Sequence, residues 1–240
     1  MFAYVVLEVR RTLRDGFFLI FGTGMPVMMY LLFTNIGGSD GVDGWKTASM
    51  VGIAAYGALS SAMSIGTGVA SDKTLGWLQQ LRITPLAPSH AVVGRAISGS
   101  VTVLPTILTV MLAGGLVNGV RLEPWQWVAL VLLLWIGALP FTLLGLGNGY
   151  RLTPQGTGVV NVASLMGFAI IGGLWFPLEV LPGWLRSIGE FTPAYRFADL
   201  GWATTEGHAP GVTTVAMLCA WLLLFGAYAV ISYRRSARTL

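Results

Sequence analysis

The groups able to do acid–base, nucleophilic or metal chemistry in this sequence are few and far apart. A phosphate-binding loop needs Gly-Lys followed by Ser or Thr, but the two lysines, Lys46 and Lys73, follow Trp45 and Asp72. A serine nucleophile needs a histidine base within hydrogen-bond reach, and His90 and His208 fall at opposite boundaries of the long apolar segments described below. A metal site needs clustered His, Cys or carboxylate ligands. One Cys, two distant His and dispersed acids supply none. The sequence therefore carries no catalytic, cofactor-binding or metal site, and the chain by itself is not expected to hydrolyse ATP.

Two sets of residues remain that can recognise something. The first lies in "SDKTLGWLQQLRITPLAPSH", residues 71–90, where Asp72, Lys73 and Arg82 interrupt otherwise apolar surroundings. The second is neutral: Ser60, Ser61, Ser64 and Thr67 in one apolar segment, and Thr157, Asn161 and Ser164 in another. Hydroxyls and amides in such segments commonly bond neighbouring helices. That packing role is favoured for them, with a substrate pathway through Ser60, Ser64, Thr157, Asn161 and Ser164 as the alternative.

The elements that must position these residues follow from composition. The chain of 240 residues is 55% hydrophobic and 10% charged, with a mean hydropathy of +0.73. Soluble domains carry about 25% charged residues, so the natural solvent of this chain is lipid. No Asp, Glu, Lys or Arg occurs in 16–39, 47–71, 96–120, 124–150, 152–178 or 207–233. A helix needs about 20 apolar residues to cross the hydrocarbon, and free backbone polar groups cannot be left in lipid. Six transmembrane helices are expected, near 17–36, 47–70, 89–117, 125–147, 157–176 and 212–233, in one all-α domain spanning 1–240. Arg95 is the ionisable residue deepest in a span and is expected to snorkel to the headgroups, ahead of a substrate contact.

With the N-terminus cytoplasmic, ten basic residues lie inside: Arg10, Arg11, Arg14, Lys73, Arg82, Arg95, Arg151, Arg234, Arg235 and Arg238. Four lie outside: Lys46, Arg121, Arg186 and Arg196. The Lys/Arg bias places both termini in the cytoplasm. The basic charge is spread over several loops, which anchors the protein on lipid and is no nucleic-acid footprint. Residues 1–15 set Phe2, Val5, Val6, Val9 and Leu13 on one helical face and Glu8, Arg10, Arg11, Arg14 and Asp15 on the other. This reads as an amphipathic helix in the inner interface, with a plain positive anchor as the alternative. A stand-alone secondary transporter or small polytopic carrier is the alternative, weakened by the lack of a titrating carboxylate or His within the spans and of matching residues between the halves.

Two stretches then carry a resemblance. "DKTLGWLQQLRITPL", residues 72–86, is similar to the cytoplasmic segment between spans 2 and 3 of ABC-2-type ABC transporter permeases: an acidic-basic pair, a Gly, a Leu-rich helix and a Thr-Pro. Trp77 and Gln79 depart from that pattern, standing where the family often has Thr and Glu. "GGLWFPLEVLPGWLRSIGEFTPAYRFADLGW", residues 172–202, resembles the family's outer segment between spans 5 and 6. The small drug and antibiotic exporter branch looks closest.

The resemblance implies a multi-pass permease of the cell membrane in which 72–86 is a coupling helix and 177–211 forms short re-entrant helices at the outer face. It implies a separate cytoplasmic ABC ATPase that binds ATP and Mg, and a second permease chain, identical or paralogous, as a dimer partner. Asp72, Lys73, Leu75, Trp77, Leu78, Leu81 and Arg82 would meet the ATPase; a helix resting on the lipid headgroups is the other reading of the same segment. The cargo expected of nearly charge-free spans is apolar or amphipathic: a drug, an antibiotic or a lipid-like compound.

Overall fold

A computed structural model describes residues 22–35, 44–75, 95–97, 99–176, 178 and 182–236. Among them all regular structure is helical. In chain order the helices are α1 (Gly24–Asn35), α2 (Trp45–Thr74), α3 (Leu104–Leu116), α4 (Pro124–Gly137), α5 (Leu139–Arg151), α6 (Pro154–Ile171), α7 (Gly183–Gly189), α8 (Pro193–Thr205) and α9 (Val212–Ser236). The expected interfacial helix at 1–15 lies outside the described residues, as do Trp77, Leu78, Gln79, Leu81 and Arg82 of the expected coupling helix.

Among the described residues five helical runs are long and apolar enough to cross a membrane: Trp45–Thr74, Arg95–Leu116, Pro124–Arg151, Pro154–Ile171 and Val212–Ser236. Each coincides with an expected span. Helix α1 falls within the first expected span, although only its 12 residues from Gly24 to Asn35 are described.

The central element is α2. Residues 49–59 are buried without interruption, because α5, α3, α6, α1 and α8 all pack against it. Its sequence suits that position. Ala, Gly and Ser alternate with single large residues such as Met50, Ile53 and Leu59, and small side chains let neighbouring backbones approach. The approach is closest at Gly66, where an added Cβ would strike the carbonyl oxygen of Gly145 in α5.

Two breaks in the spans have local causes. The fourth span divides at Ala138 into α4 and α5. Pro140 has no N–H to continue the ladder, and its ring displaces the preceding turn. The fifth span stops at Ile171, five residues before its expected end at 176. Gly173 adopts φ 69°, with Gly173 N–H bonded to Ile170 O at 3.3 Å and Leu174 N–H to Ala169 O at 3.0 Å. This is the Schellman arrangement, whose left-handed residue is cheapest as glycine.

The expected outer segment does contain two helices, α7 and α8. Helix α8 is not a surface helix. Phe197, Ala194 and Ala198 are fully buried, and the helix packs on α4, α9 and α2. Pro193 at its first turn and the Thr192 hydroxyl, which accepts from the Tyr195 N–H at 3.2 Å, define its start.

Candidate functional site

The C-terminal end of α2 holds Asp72 and Lys73 in its last turn. Residues 72–74, at the start of the expected coupling segment, continue the second span as one helix. Nothing in Asp-Lys-Thr stops a helix, so the charges mark a change of solvent and not the end of the helix. Leu75 follows at the C-cap, with an exposed side chain.

The two charged neighbours point to different elements. Asp72 forms an ion pair with Arg95 at the start of the run leading to α3. The side chains are only 19% and 13% exposed, respectively. Arg95 is thus engaged by a carboxylate instead of reaching alone for headgroups, because in a poorly solvated place the opposite charge is its strongest available partner. Lys73 donates from Nζ to the carbonyls of Leu152 at 2.9 Å and Tyr150 at 3.2 Å. These carbonyls close the C-terminal end of α5, where a cation also meets the negative end of the helix dipole. One turn of α2 therefore ties together the start of the third span and the turn between the fourth and fifth.

About two and a half turns back along α2, at Met63, lies a buried amide network. Asn161 of α6 donates from Nδ2 to Met63 O of α2 at 2.7 Å. Its Oδ1 accepts from Asn148 Nδ2 of α5 at 2.9 Å. Asn148 Oδ1 in turn accepts from the Tyr228 hydroxyl of α9 at 3.0 Å. Thr157 donates to its own helix at Thr153 O, 2.9 Å, and approaches Asn148 O at 3.4 Å. Four helices are joined by groups that lipid could not satisfy.

The sequence-derived polar set is thus divided. Thr157 and Asn161 come together, and their polar atoms are taken up by helix-to-helix bonds. Ser64 is exposed, with its hydroxyl on Ser61 O of its own helix at 2.8 Å. Ser60 and Ser164 are half-buried. Ser61, by contrast, is buried against Thr106 of α3 at 2.9 Å between hydroxyl oxygens. Sequence reasoning missed Asn148 and Tyr228. Each is a lone polar group in a span, and a period-based reading had no reason to pair them across 80 residues.

Replacing Asn161 by Ala removes the bridge and leaves Met63 O and the Asn148 amide without their partner. A buried unsatisfied polar group costs about 1–3 kcal/mol. Asn161→Ala is expected to lower the thermal midpoint in detergent clearly, and Tyr228→Phe, which loses one terminal bond, by about half as much. Equal midpoints for wild type and Asn161→Ala would show that the bridge contributes nothing.

The arrangement holds helix ends and helix faces in register, and it presents no nucleophile, base or ligand set. Ion pair, cap and amides thereby connect the end of α2 with Arg95, the end of α5, α6 and α9. The model of the ABC-2 type transporter family matches residues 1–204. A Bacillus subtilis (strain 168) protein named "Putative transport permease YvfS" is 31% identical over 225 residues, covering 92% of this chain and 91% of that protein. With five apolar runs of spanning length, the chain is a multi-pass membrane protein, and it belongs to the ABC-2 type transporter family as a permease.

Proposed function

We propose that this permease is the membrane subunit of an ATP-driven exporter, moving an apolar or amphipathic compound outward across the cell membrane. A separate cytoplasmic ATPase binds ATP and Mg, and two permease chains pair to form the path. Six spans and both termini in the cytoplasm complete the topology, supported by the ten-to-four Lys/Arg asymmetry. The Lys73 end of the bundle is then the cytoplasmic end.

The observation that carries this reading is the double tie of Asp72 and Lys73. It supports a segment, 72–86, whose base is fixed to three helices so that a push on it moves them together. Within that segment Leu75, Trp77, Leu78 and Leu81 supply the apolar contact with the ATPase, and Arg82 a charged one. Ser60, Ser64 and Ser164, whose hydroxyls lie on less buried faces of α2 and α6, line the path, while Thr157 and Asn161 brace it.

Leu78→Asp tests the reading. A buried apolar side chain contributes about 1.5–3 kcal/mol, and an unpaired buried charge costs more. The variant is expected to insert normally, to lose its ATPase on co-purification and to lose transport. Gln79→Ala should retain both. A Leu78→Asp protein that keeps its ATPase and still transports, or a wild-type chain that transports alone under a proton gradient, would overturn the proposal.

A further inference from the structure

The opposite end of the bundle, about 45 Å from Lys73 along the 30-residue α2, contains a cavity of about 670 Å³. Its walls come from the start of α2, the loop at 121–122, the turn after α6, and α8. Five of the described lining side chains are large aromatics: Trp45, Trp175, Phe176, Tyr195 and Trp202. Neighbours fix their rings in place. Trp175 meets Tyr56 edge-on at 5.2 Å and Tyr195 lies 5.8 Å from Trp202. Trp202 donates its indole N–H to Ala48 O at 3.1 Å. The indole N–H groups of Trp45 and Trp175 are buried without an acceptor among the described residues, so the wall is not paired to completion.

Among the described lining residues acidic side chains outnumber basic ones, two to one. Asp199 and Glu206 line the wall from α8, seven residues and two turns apart and so on one face. Arg121, exposed on its loop, is the one cationic side chain among the described lining residues. Asp199 is partly occupied: it accepts from the Thr214 hydroxyl and lies 3.9 Å from Arg196. Glu206 takes part in no ion pair among the described residues and sits at the C-cap of α8, where the helix carbonyls add to its negative field. One lining ring already faces a cation, since the Arg196 guanidinium stands 5.4 Å from the Tyr195 ring centroid. Fixed electron-rich ring faces beside an uncommitted carboxylate favour positive charge carried on an apolar body.

We propose that this cavity binds a lipophilic organic cation, with its apolar body against the indoles and its charge towards Glu206 and Asp199. The site is built within one chain and needs neither the ATPase nor a second permease. The inference therefore stands or falls separately from the exporter reading.

Tetraphenylphosphonium and tetraphenylborate, which share shape and differ in the sign of charge, test it. Saturable binding of each is measured to the purified full chain in nanodiscs of zwitterionic lipid, with empty nanodiscs subtracted. The cation is expected to bind saturably and the anion not. Glu206→Gln should weaken cation binding by about two- to fivefold, the effect of one nearby charge on an exposed side chain. Arg121→Glu should strengthen it by a few-fold, a gain that a damaged fold cannot imitate. Absent saturable binding, equal binding of the two ions, or cation affinity unchanged in both variants would overturn the proposal.

Discussion

Gly66→Val is expected to leave almost no folded permease, and Gly66→Ala to lower its stability by about 3 kcal/mol, the upper part of the overpacking range. The reason is that the obstructing atoms are backbone. A Cβ on Gly66 runs into Gly145 O; one on Gly145 would lie 2.6 Å from Met63 O; one on Gly149 runs into Gly66 O. No rotamer change relieves such a contact, so α2 and α5 must separate. The bonds that depend on their spacing suffer with them, above all Asn161 to Met63 O at 2.7 Å and Asn148 to Asn161 at 2.9 Å. Gly68, two residues away on another face, has open space within 4 Å of where a Cβ would stand. Gly68→Ala should be neutral or slightly stabilising, because alanine favours the helix by about 1 kcal/mol over glycine. Thermal midpoints by fluorescence-detected size exclusion separate the two. Matching midpoints for Gly66→Ala and Gly68→Ala would mean that the close crossing does not exist.

Part of that crossing is legible in the sequence. "GLGNG", 145–149, reads as a small-xxx-small pattern, and both its outer glycines, Gly145 and Gly149, do face α2. The partner, Gly66, is not legible, since a four-residue spacing names a face and not what meets it. "GLVNG", 115–119, has the same pattern and a different use: a Cβ on Gly115 would sit 3.2 Å from Trp127, while Gly119 is a turn residue at φ 67°. The backbone conformation of Gly119, with open space around it, separates the turn from the packing motif.

The spans themselves are readable because lipid excludes charge, and a charge-free window reports that exclusion directly. Helix ends are less readable because the solvent boundary and the hydrogen-bond ladder end in different places. At residues 72–74 the ladder outlasts the apolar window. At Gly172 and Gly173 it stops inside one. The packing partners of α8 were also out of reach: re-entrant helices were expected at 177–211, but nothing in the sequence sets Phe197 beside Phe141, at a ring distance of 5.5 Å. Pairings over long sequence distance carry no period at all, which is why Asn148 with Tyr228 and Asp72 with Arg95 emerge only in three dimensions.

The Asp72–Arg95 pair should show the second large effect. Removing one partner of a fully buried pair costs about 3–5 kcal/mol, chiefly because the remaining charge is left poorly solvated. Here the side chains retain some exposure, which reduces the expected loss for Asp72→Ala to about 2 kcal/mol. Asp72→Arg should cost more, since two guanidinium groups then face each other. The double variant Asp72→Arg with Arg95→Asp restores opposite charges across the same gap and should recover at least half of the loss. Lys73→Met keeps the stem while removing two charge-assisted bonds to Tyr150 O and Leu152 O. Its loss, about 1.5–3 kcal/mol per bond at full burial and less here, should fall on the end of α5 and appear as faster amide exchange at 150–153. The two neighbours thus have separable signatures, one rescued by charge exchange and one localised to the α5–α6 turn. If the charge-exchanged double variant is no more stable than Asp72→Arg alone, the ion pair does not hold the second and third spans together, and the mechanical link drawn from Asp72 is lost while that from Lys73 stands.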